Sequence, residues 1–160
     1  MAPTTAKATS TARSKTTTKN KNKTRAKTKT KERPDGPQTG SLRVGRSAIH
    51  GTGVFATRRF EEGDVIERCP VLLLGGADAD AVVDTVLGNY VYEWEPGYAL
   101  ALGFGSLYNH SHQPSARYEM DYTIDEIHVV ARRRIESGDE ITISYNGDAD
   151  DQAPVWFETR

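Results

Sequence analysis

Three short segments of the chain hold the residues best suited to bind or transform a ligand. Gly51-Thr-Gly53 lies between two β-prone segments, where missing side chains allow the backbone to approach a ligand. Asn109 offers both an amide donor and a carbonyl acceptor, and His110 follows it directly. Tyr145 adds a hydroxyl group at the end of an apolar segment. Together these segments are the candidates for a ligand-binding or catalytic site.

Short β-prone segments separated by turn signals surround these residues. Ile141, Ile143 and Tyr145 alternate on one face of a last strand, which Ser137-Gly138 opens. Many short strands with one helix predict a mainly β fold. The other predicted strands span residues 42–49, 54–56, 65–74, 90–94, 98–102, 116–120 and 127–131.

One segment has the spacing of an amphipathic helix. The pattern predicts a helix over Ala77–Leu87, with Asp78 capping its start and Gly88 ending it. Four apolar residues share one face of this helix: Val82, Val83, Val86 and Leu87.

Two of the segments can be quoted as longer motifs. Gly103-Phe-Gly-Ser-Leu-Tyr-Asn-His-Ser-His-Gln-Pro114 is followed by Gly138-Asp-Glu-Ile-Thr-Ile-Ser-Tyr145, and Gly51-Thr-Gly53 precedes both. In this order and spacing they resemble the SET-domain family of protein lysine methyltransferases, most closely the minimal viral-type SET proteins. The resemblance covers residues 41–147. It implies a β-clip fold with few short helices, in which the Asn-His segment and the terminal strand cross in a C-terminal pseudoknot.

The same resemblance implies S-adenosylmethionine as the cofactor and Tyr145 as the catalytic residue. It places the hydroxyl of Tyr145 where the methyl group meets the lysine amine. Asn109 would bind the amino-acid end of the cofactor, and the backbone of His110 its purine. An aromatic residue after the domain would fold over the site, with Trp156 and Phe157 both open. The cofactor-binding residues implied are Gly51, Thr52, Gly53, Asn109, His110, Tyr145 and Trp156.

A channel for the substrate lysine is implied beside these residues. Tyr90 and Tyr92 alternate along a strand, which suits either a channel wall where rings contact a cation or ordinary cross-strand packing. Phe104 and Ile143 complete the implied channel. Ile143 stands where a Tyr in relatives holds a water that restricts repeated methylation. We therefore expect more than one methyl group to be added unless Tyr90, Tyr92 or Tyr108 fills this gap.

The charge of the chain divides sharply. Residues 1–33 hold eight Lys, three Arg and one Glu, a net charge of +10, whereas the whole chain carries −1. The remainder therefore carries −11, and its basic residues are all Arg. Because the first segment lacks large apolar residues after Met1, we expect it to be disordered. The predicted organisation is a basic tail and linker over 1–40, a SET domain over 41–147 and a short post-SET segment over 148–160.

These charges also suggest partners. A basic tail attracts polyanions, so residues 1–33 are predicted to contact nucleic acid, the alternative being a solubilising or localisation segment. An acidic domain attracts basic polypeptides such as histones, histone-like proteins and ribosomal proteins. Because all lysines of the chain lie in the tail, methylation of the tail itself stays open. So do a homodimer and a non-catalytic SET-like binding module tethered to nucleic acid.

Several classes of protein are disfavoured by what the sequence lacks. No run approaches the roughly 18 apolar residues that span a bilayer, and no secretory signal pattern begins the chain. We therefore predict no membrane association and an intracellular location, in the cytoplasm and nucleoid or in the nucleus. Cys69 is the single cysteine, which excludes an internal disulfide and a cysteine-rich zinc module. No metal site is predicted.

Overall fold

The computed structural model describes residues 38–148 and 150–155, and strands dominate this part of the chain. The mainly β fold predicted from the sequence is confirmed. In chain order the strands are β1 (Gln38–Thr39), β2 (Leu42–Arg46), β3 (Thr52–Ala56), β4 (Val65–Leu74), β5 (Val91–Trp94), β6 (Gly97–Ala101), β7 (Asn109–His110), β8 (Ala116–Asp121), β9 (Glu126–Ala131) and β10 (Glu140–Ile143).

The strands form two five-stranded sheets. One has the order β1-β2-β3-β10-β7 and the other the order β5-β6-β4-β9-β8. In the first sheet β10 pairs antiparallel with β3, where Ile141 lies opposite Val54, and parallel with β7, where Thr142 lies opposite Asn109. This arrangement brings the three motif segments, which are far apart in sequence, side by side.

The last strand is more deeply buried than its alternating pattern predicted. Ile141 and Ile143 are buried, but so are the polar residues Thr142, which lies between them, and Ser144, which follows them. The polar residues are accommodated because the backbone N–H of Thr142 donates to Ser115 Oγ at 3.0 Å, and Thr142 Oγ1 accepts from Ser115 N at 3.2 Å. The strand also ends at Ile143. The prediction that Tyr145 belongs to the strand is wrong, since Tyr145 lies in the turn that follows.

The predicted helix is shorter than its apolar pattern suggested. The helix α1 spans Ala77–Val83, and a separate 3₁₀ helix spans Val86–Asn89. The break falls at Thr85, whose hydroxyl accepts from Leu87 N and donates to Val82 O, replacing helical backbone bonds. The predicted cap at Asp78 is wrong, because the residue before the helix is Gly76 and no side chain caps it.

The apolar face predicted for this helix is not core. Ala79 is the buried residue of α1, whereas Val83, Val86 and Leu87 are 42%, 70% and 48% exposed. The core instead lies between the two sheets and holds Phe60, Ile127, Val129, Ile135 and Ile141. A further difference lies at the start of the domain, where β1 occupies part of the segment predicted as linker.

Candidate active site

An open groove of about 1270 Å³ runs beside β5, β8 and α1 and reaches the turn after β10. Its lining is unusually rich in one residue type, since the chain has seven tyrosines and all of them line it. The tyrosines are also clustered in the sequence, because no tyrosine precedes residue 90. The seven are Tyr90, Tyr92, Tyr98, Tyr108, Tyr118, Tyr122 and Tyr145.

Tyr145 is held at both its backbone and its hydroxyl group. Its backbone N–H donates to Nδ1 of His110 at 3.1 Å, and its hydroxyl donates to the carbonyl oxygen of Tyr108 at 2.8 Å. Burial, with a smaller contribution from Tyr90, raises the pKa of Tyr145 to about 12. The hydroxyl therefore keeps its proton at neutral pH. It is suited to orient a group through hydrogen bonds and unsuited to act as a base.

The inner tyrosines of the groove are fixed by their own hydroxyl groups. The Tyr92 hydroxyl donates to the carbonyl oxygen of Gly105 at 2.7 Å, and the Tyr92 ring meets Tyr118 edge-on at 5.1 Å. The Tyr108 hydroxyl donates to the carboxylate of Glu67 at 2.7 Å. Burial raises the pKa of Tyr92 and of Tyr108 well above the ordinary value. These rings therefore form a neutral aromatic wall.

Two of the four residues assigned to the implied lysine channel line this groove. Tyr90 and Tyr92 line the groove, and Tyr90 is 41% exposed. Phe104 and Ile143 do not line it, because both side chains are buried in the core. Tyr118 lies in the groove although its β-strand gave no reason to single it out.

Acidic side chains accompany the tyrosines. Asp80, Glu93 and Glu95 line the groove, and no Lys or Arg is among the described residues that do so. Burial and, after it, the negative charge of Glu93 raise the pKa of Tyr118. The groove therefore favours a cationic ligand over an anionic one.

A second polar cluster lies at the loop between β2 and β3. The Asn109 amide nitrogen donates to the carbonyl oxygens of His50 at 3.0 Å and Thr52 at 3.1 Å, and to Glu140 Oε1 at 2.8 Å. Asn109 itself is 7% exposed. Its side chain thus ties β7 to the glycine-containing loop, which the sequence motifs did not indicate.

Gly51, which lies in this loop, and Gly53, which lies at the start of β3, have different surroundings. A Cβ atom on Gly53 would collide with the Glu140 carboxylate and lie 3.0 Å from Nδ2 of Asn109, so protein side chains take that space. Gly51 has a left-handed φ of +49°, and no atom of the described residues lies within 4 Å of the position of a Cβ atom. Only Gly51 leaves open space beside the loop.

Residues 51–146 match the family model of the SET domain, which is more than half of the chain. The chain belongs to the SET-domain family. Its relatives include the Schizosaccharomyces pombe histone-lysine N-methyltransferase that is H3 lysine-37 specific. The two are 36% identical over 119 residues, which cover 73% of this chain and 77% of the relative. The membership in a lysine methyltransferase family predicted from the three motifs is therefore confirmed.

A solved structure agrees with this SET-domain fold. The crystal structure of a Plasmodium falciparum protein, provisionally named a histone methyltransferase, is similar with a TM-score of 0.54 and 30% sequence identity. The similarity covers 68% of this chain and 95% of that one. The match extends over nearly the whole of the other protein.

SET-domain methyltransferases in general use S-adenosylmethionine, and two features of this SET domain fit such a ligand. The loop at Gly51 and Thr52 is exposed and has open space. Nδ1 of His112 is buried and has no hydrogen-bond partner among the described protein atoms, so a polar ligand group can satisfy it. Trp156 and Phe157 lie outside the described residues, and their predicted role stays a prediction.

His110 links this ligand region to Tyr145. Its ring packs edge-on against His112 at 4.6 Å and lies 5.4 Å from the Tyr145 ring. Burial and, after it, the nearby His112 lower the pKa of His110. The neutral ring is needed, because Nδ1 accepts the backbone N–H of Tyr145.

This lowered pKa predicts a pH-dependent stability. The contribution of His110 is fully present above its unfolded-state pKa of 6.5 and is lost as pH falls toward the lower folded-state value. We expect the free energy of unfolding to decrease between about pH 8 and pH 5 more steeply in the unsubstituted protein than in His110→Gln. Urea titrations across this range measure both slopes, and equal slopes would contradict the assignment.

Within the described part of the chain, no group of three or more His, Cys, Asp or Glu is placed to hold a metal ion. No described helix is long and apolar enough to cross a membrane.

Proposed function

We propose that this SET domain transfers a methyl group from S-adenosylmethionine to a lysine side chain of a basic protein. The observation that carries the proposal is the groove lined by seven tyrosines and three carboxylates, with Tyr145 among them. Histones, histone-like proteins and ribosomal proteins are the basic substrates we propose. The activity in the name of the S. pombe relative supports a histone. An intracellular location, in the cytoplasm and nucleoid or in the nucleus, suits such substrates.

The aromatic walls of the groove favour the form of lysine that can react. A lysine amine has a pKa of about 10.4 in water and must lose a proton before it attacks a methyl group. Neutral aromatic walls disfavour the ammonium form through desolvation, while Glu93 and Glu95 attract the cation from solution. The Tyr145 hydroxyl, which donates to the Tyr108 carbonyl, can accept an amine N–H and so direct the lone pair of the nitrogen.

The cofactor would be held by the loop that Asn109 fixes. We propose that Gly51, Thr52 and Gly53 cradle the methionine part of the cofactor, that Asn109 binds its amino-acid end and that the backbone of His110 binds its purine. When bound, the cofactor supplies an electrophilic methyl group on a sulfonium. Asn109 acts on this loop through the carbonyl oxygens of His50 and Thr52. Its amide therefore supports the loop in addition to any contact with the cofactor.

A transfer assay tests the proposal directly. The full-length protein is incubated with S-adenosylmethionine carrying a labelled methyl group, and with core histones or bacterial histone-like proteins as acceptors. Label on the lysines of an added basic protein is the expected result. An acidic protein containing lysine serves as the control acceptor. Cofactor binding with no label on any basic acceptor would contradict the proposed substrate class.

A form lacking residues 1–33 separates substrate from self-methylation. The segment holds every lysine of the chain, so label on the enzyme itself must disappear with it. Label on added histones should persist. No observation on the described residues favours the alternative of a non-catalytic binding module. The proposed nucleic-acid contact of residues 1–33 lies outside the described residues.

The acidic lining gives a prediction for substrate binding. Replacing Glu93 and Glu95 together by Gln should raise KM for a basic protein by about three- to tenfold, the size expected for exposed charge pairs. The effect should shrink at high salt, because exposed charges are screened. Steady-state kinetics at low and high salt measure both effects.

The matched control replaces two exposed carboxylates that do not line the groove, Glu62 and Glu136. This double variant changes the net charge equally and should leave KM unchanged. Equal increases in KM for both double variants would mean that overall charge, and not the groove, attracts the substrate.

A further inference from the structure

A single carboxylate connects β10 to the loop between β2 and β3. Glu140 Oε2 accepts the hydroxyl hydrogen of Ser47 at 2.8 Å, and Glu140 Oε1 accepts from Nδ2 of Asn109 at 2.8 Å. Glu140 is the first residue of β10 and lies opposite Phe55 of β3. Its side chain therefore reaches across β3 toward the loop.

The two side chains that bind Glu140 also form hydrogen bonds with the backbone of the loop. Ser47 Oγ accepts from the backbone N–H of Ile49 at 2.8 Å and of His50 at 3.2 Å. Asn109 donates to the carbonyl oxygens of His50 and Thr52. The peptide groups on both sides of His50 are thus fixed by partners that share the Glu140 carboxylate.

The geometry points to Glu140 as a positioning residue, which fixes residues 47–52 in the conformation that binds the cofactor. This inference rests on the proposed function. Glu140 does not need to touch the cofactor, since it acts through Ser47 and Asn109. Gly53 is required for the same reason, because a side chain there would displace the carboxylate.

A carboxylate is chemically suited to this task. It offers acceptors on two oxygens, and hydrogen bonds to a charged acceptor are about twice as strong as neutral ones. A Gln at this position keeps one acceptor oxygen and replaces the other with an NH₂ donor. Ser47 Oγ already accepts from the backbone N–H groups of Ile49 and His50, so it could accept from this donor only by losing one of those hydrogen bonds. An Ala keeps neither. The three side chains should therefore rank Glu, Gln, Ala in how firmly they hold the loop.

The first test needs no ligand. Amide hydrogen exchange on the full-length protein reports the backbone N–H of Ile49, which donates to Ser47 Oγ. We expect exchange at Ile49 to be roughly tenfold faster in Glu140→Ala and less affected in Glu140→Gln. Glu136→Ala is the control, because Glu136 is an exposed carboxylate that pairs with Arg134. Unchanged exchange at Ile49 in a folded Glu140→Ala would overturn the proposal.

The second test measures S-adenosylmethionine binding by calorimetry. Glu140→Ala should bind roughly tenfold more weakly than the unsubstituted protein, with Glu140→Gln between them, while kcat at saturating cofactor stays close to the original. If Glu140→Ala does not fold, Ser47→Ala removes one of the two side chains that bind Glu140 and should weaken binding in the same direction.

The outcomes separate the two proposals. An unsubstituted protein that binds no S-adenosylmethionine overturns the proposed function. If it binds, full affinity in the folded Glu140 variants, or lower thermal stability with no loss of affinity, overturns the positioning role and leaves the proposed function intact.

Discussion

Replacing Tyr145 by Phe should lower methyl transfer by roughly 10²- to 10³-fold, the cost of removing one oriented hydrogen-bonding group at a reacting centre. The change removes one oxygen and keeps the ring, which lines the groove. The lost hydroxyl is the group that bonds the Tyr108 carbonyl. Single-turnover kinetics at saturating cofactor and substrate measure the effect on the chemical step.

The pH profile distinguishes an orienting hydroxyl from a base. Since the pKa of Tyr145 is raised to about 12, its hydroxyl stays neutral throughout the working range. The rate should rise with pH because the substrate amine deprotonates, and the residual activity of Tyr145→Phe should rise in the same way. A rising limb that vanishes in Tyr145→Phe would instead identify the tyrosine as the base.

A hydroxyl outside the groove provides the matched control. Ser137 donates to the carbonyl oxygen of Thr57 at 3.0 Å, as Tyr145 donates to a carbonyl within the groove. Ser137→Ala should retain full activity. Tyr145→Phe with activity near that of Ser137→Ala would contradict the proposed role.

Replacing Gly105 by Ala should lower the free energy of unfolding by about 1–3 kcal/mol, as expected for overpacking in a core. A Cβ atom there would lie 2.6 Å from Cβ of Ala101 and 2.8 Å from Sγ of Cys69. Both neighbours are buried, so neither can move easily. The carbonyl group of Gly105 also accepts from Tyr92, so the wall of the groove should be disturbed as well.

Gly75→Ala is the control for this substitution. Within the part of the chain that the structure describes, no atom lies within 4 Å of the position that a Cβ atom on Gly75 would take, and the φ of Gly75 is not in the left-handed region. Its replacement should be neutral or slightly stabilising, because Ala restricts the unfolded chain. Chemical denaturation of both variants measures the difference in the free energy of unfolding. Equal stability would show that the core around Gly105 rearranges to accommodate the added methyl group.

Sequence patterns located elements whose signals are local. The bounds predicted for β4 agree with the structure at residues 65–74, because turn signals at Gly63 and at Gly75-Gly76 flank a β-prone segment on both sides. The predicted length of the helix over residues 77–87 was wrong, because Thr85 satisfies backbone groups that a continuous helix would use. Propensity and apolar spacing do not report that competition.

The motifs name individual residues of the candidate site, but they do not indicate the contacts between distant parts of the chain. Asn109 and Tyr145 stand in quoted motifs, and the structure places them on adjoining segments. The bond between Ser47 and Glu140 joins residues 93 positions apart, so no spacing rule could indicate it. Phe104 and Ile143 were assigned to the channel by resemblance, but their burial depends on how the two sheets pack.

Because β10 lies between β3 and β7, the first sheet cannot be complete before residues 140–143 have been synthesised. A ribosome-bound chain that has not yet released residues 140–143 has β3 and β7 without their shared neighbour. Two unpaired strand edges then stand exposed, and such edges are prone to pair with other chains. The pairing of β10 with β3 and β7 therefore covers both edges and brings residues 140–143 beside Asn109 and His110.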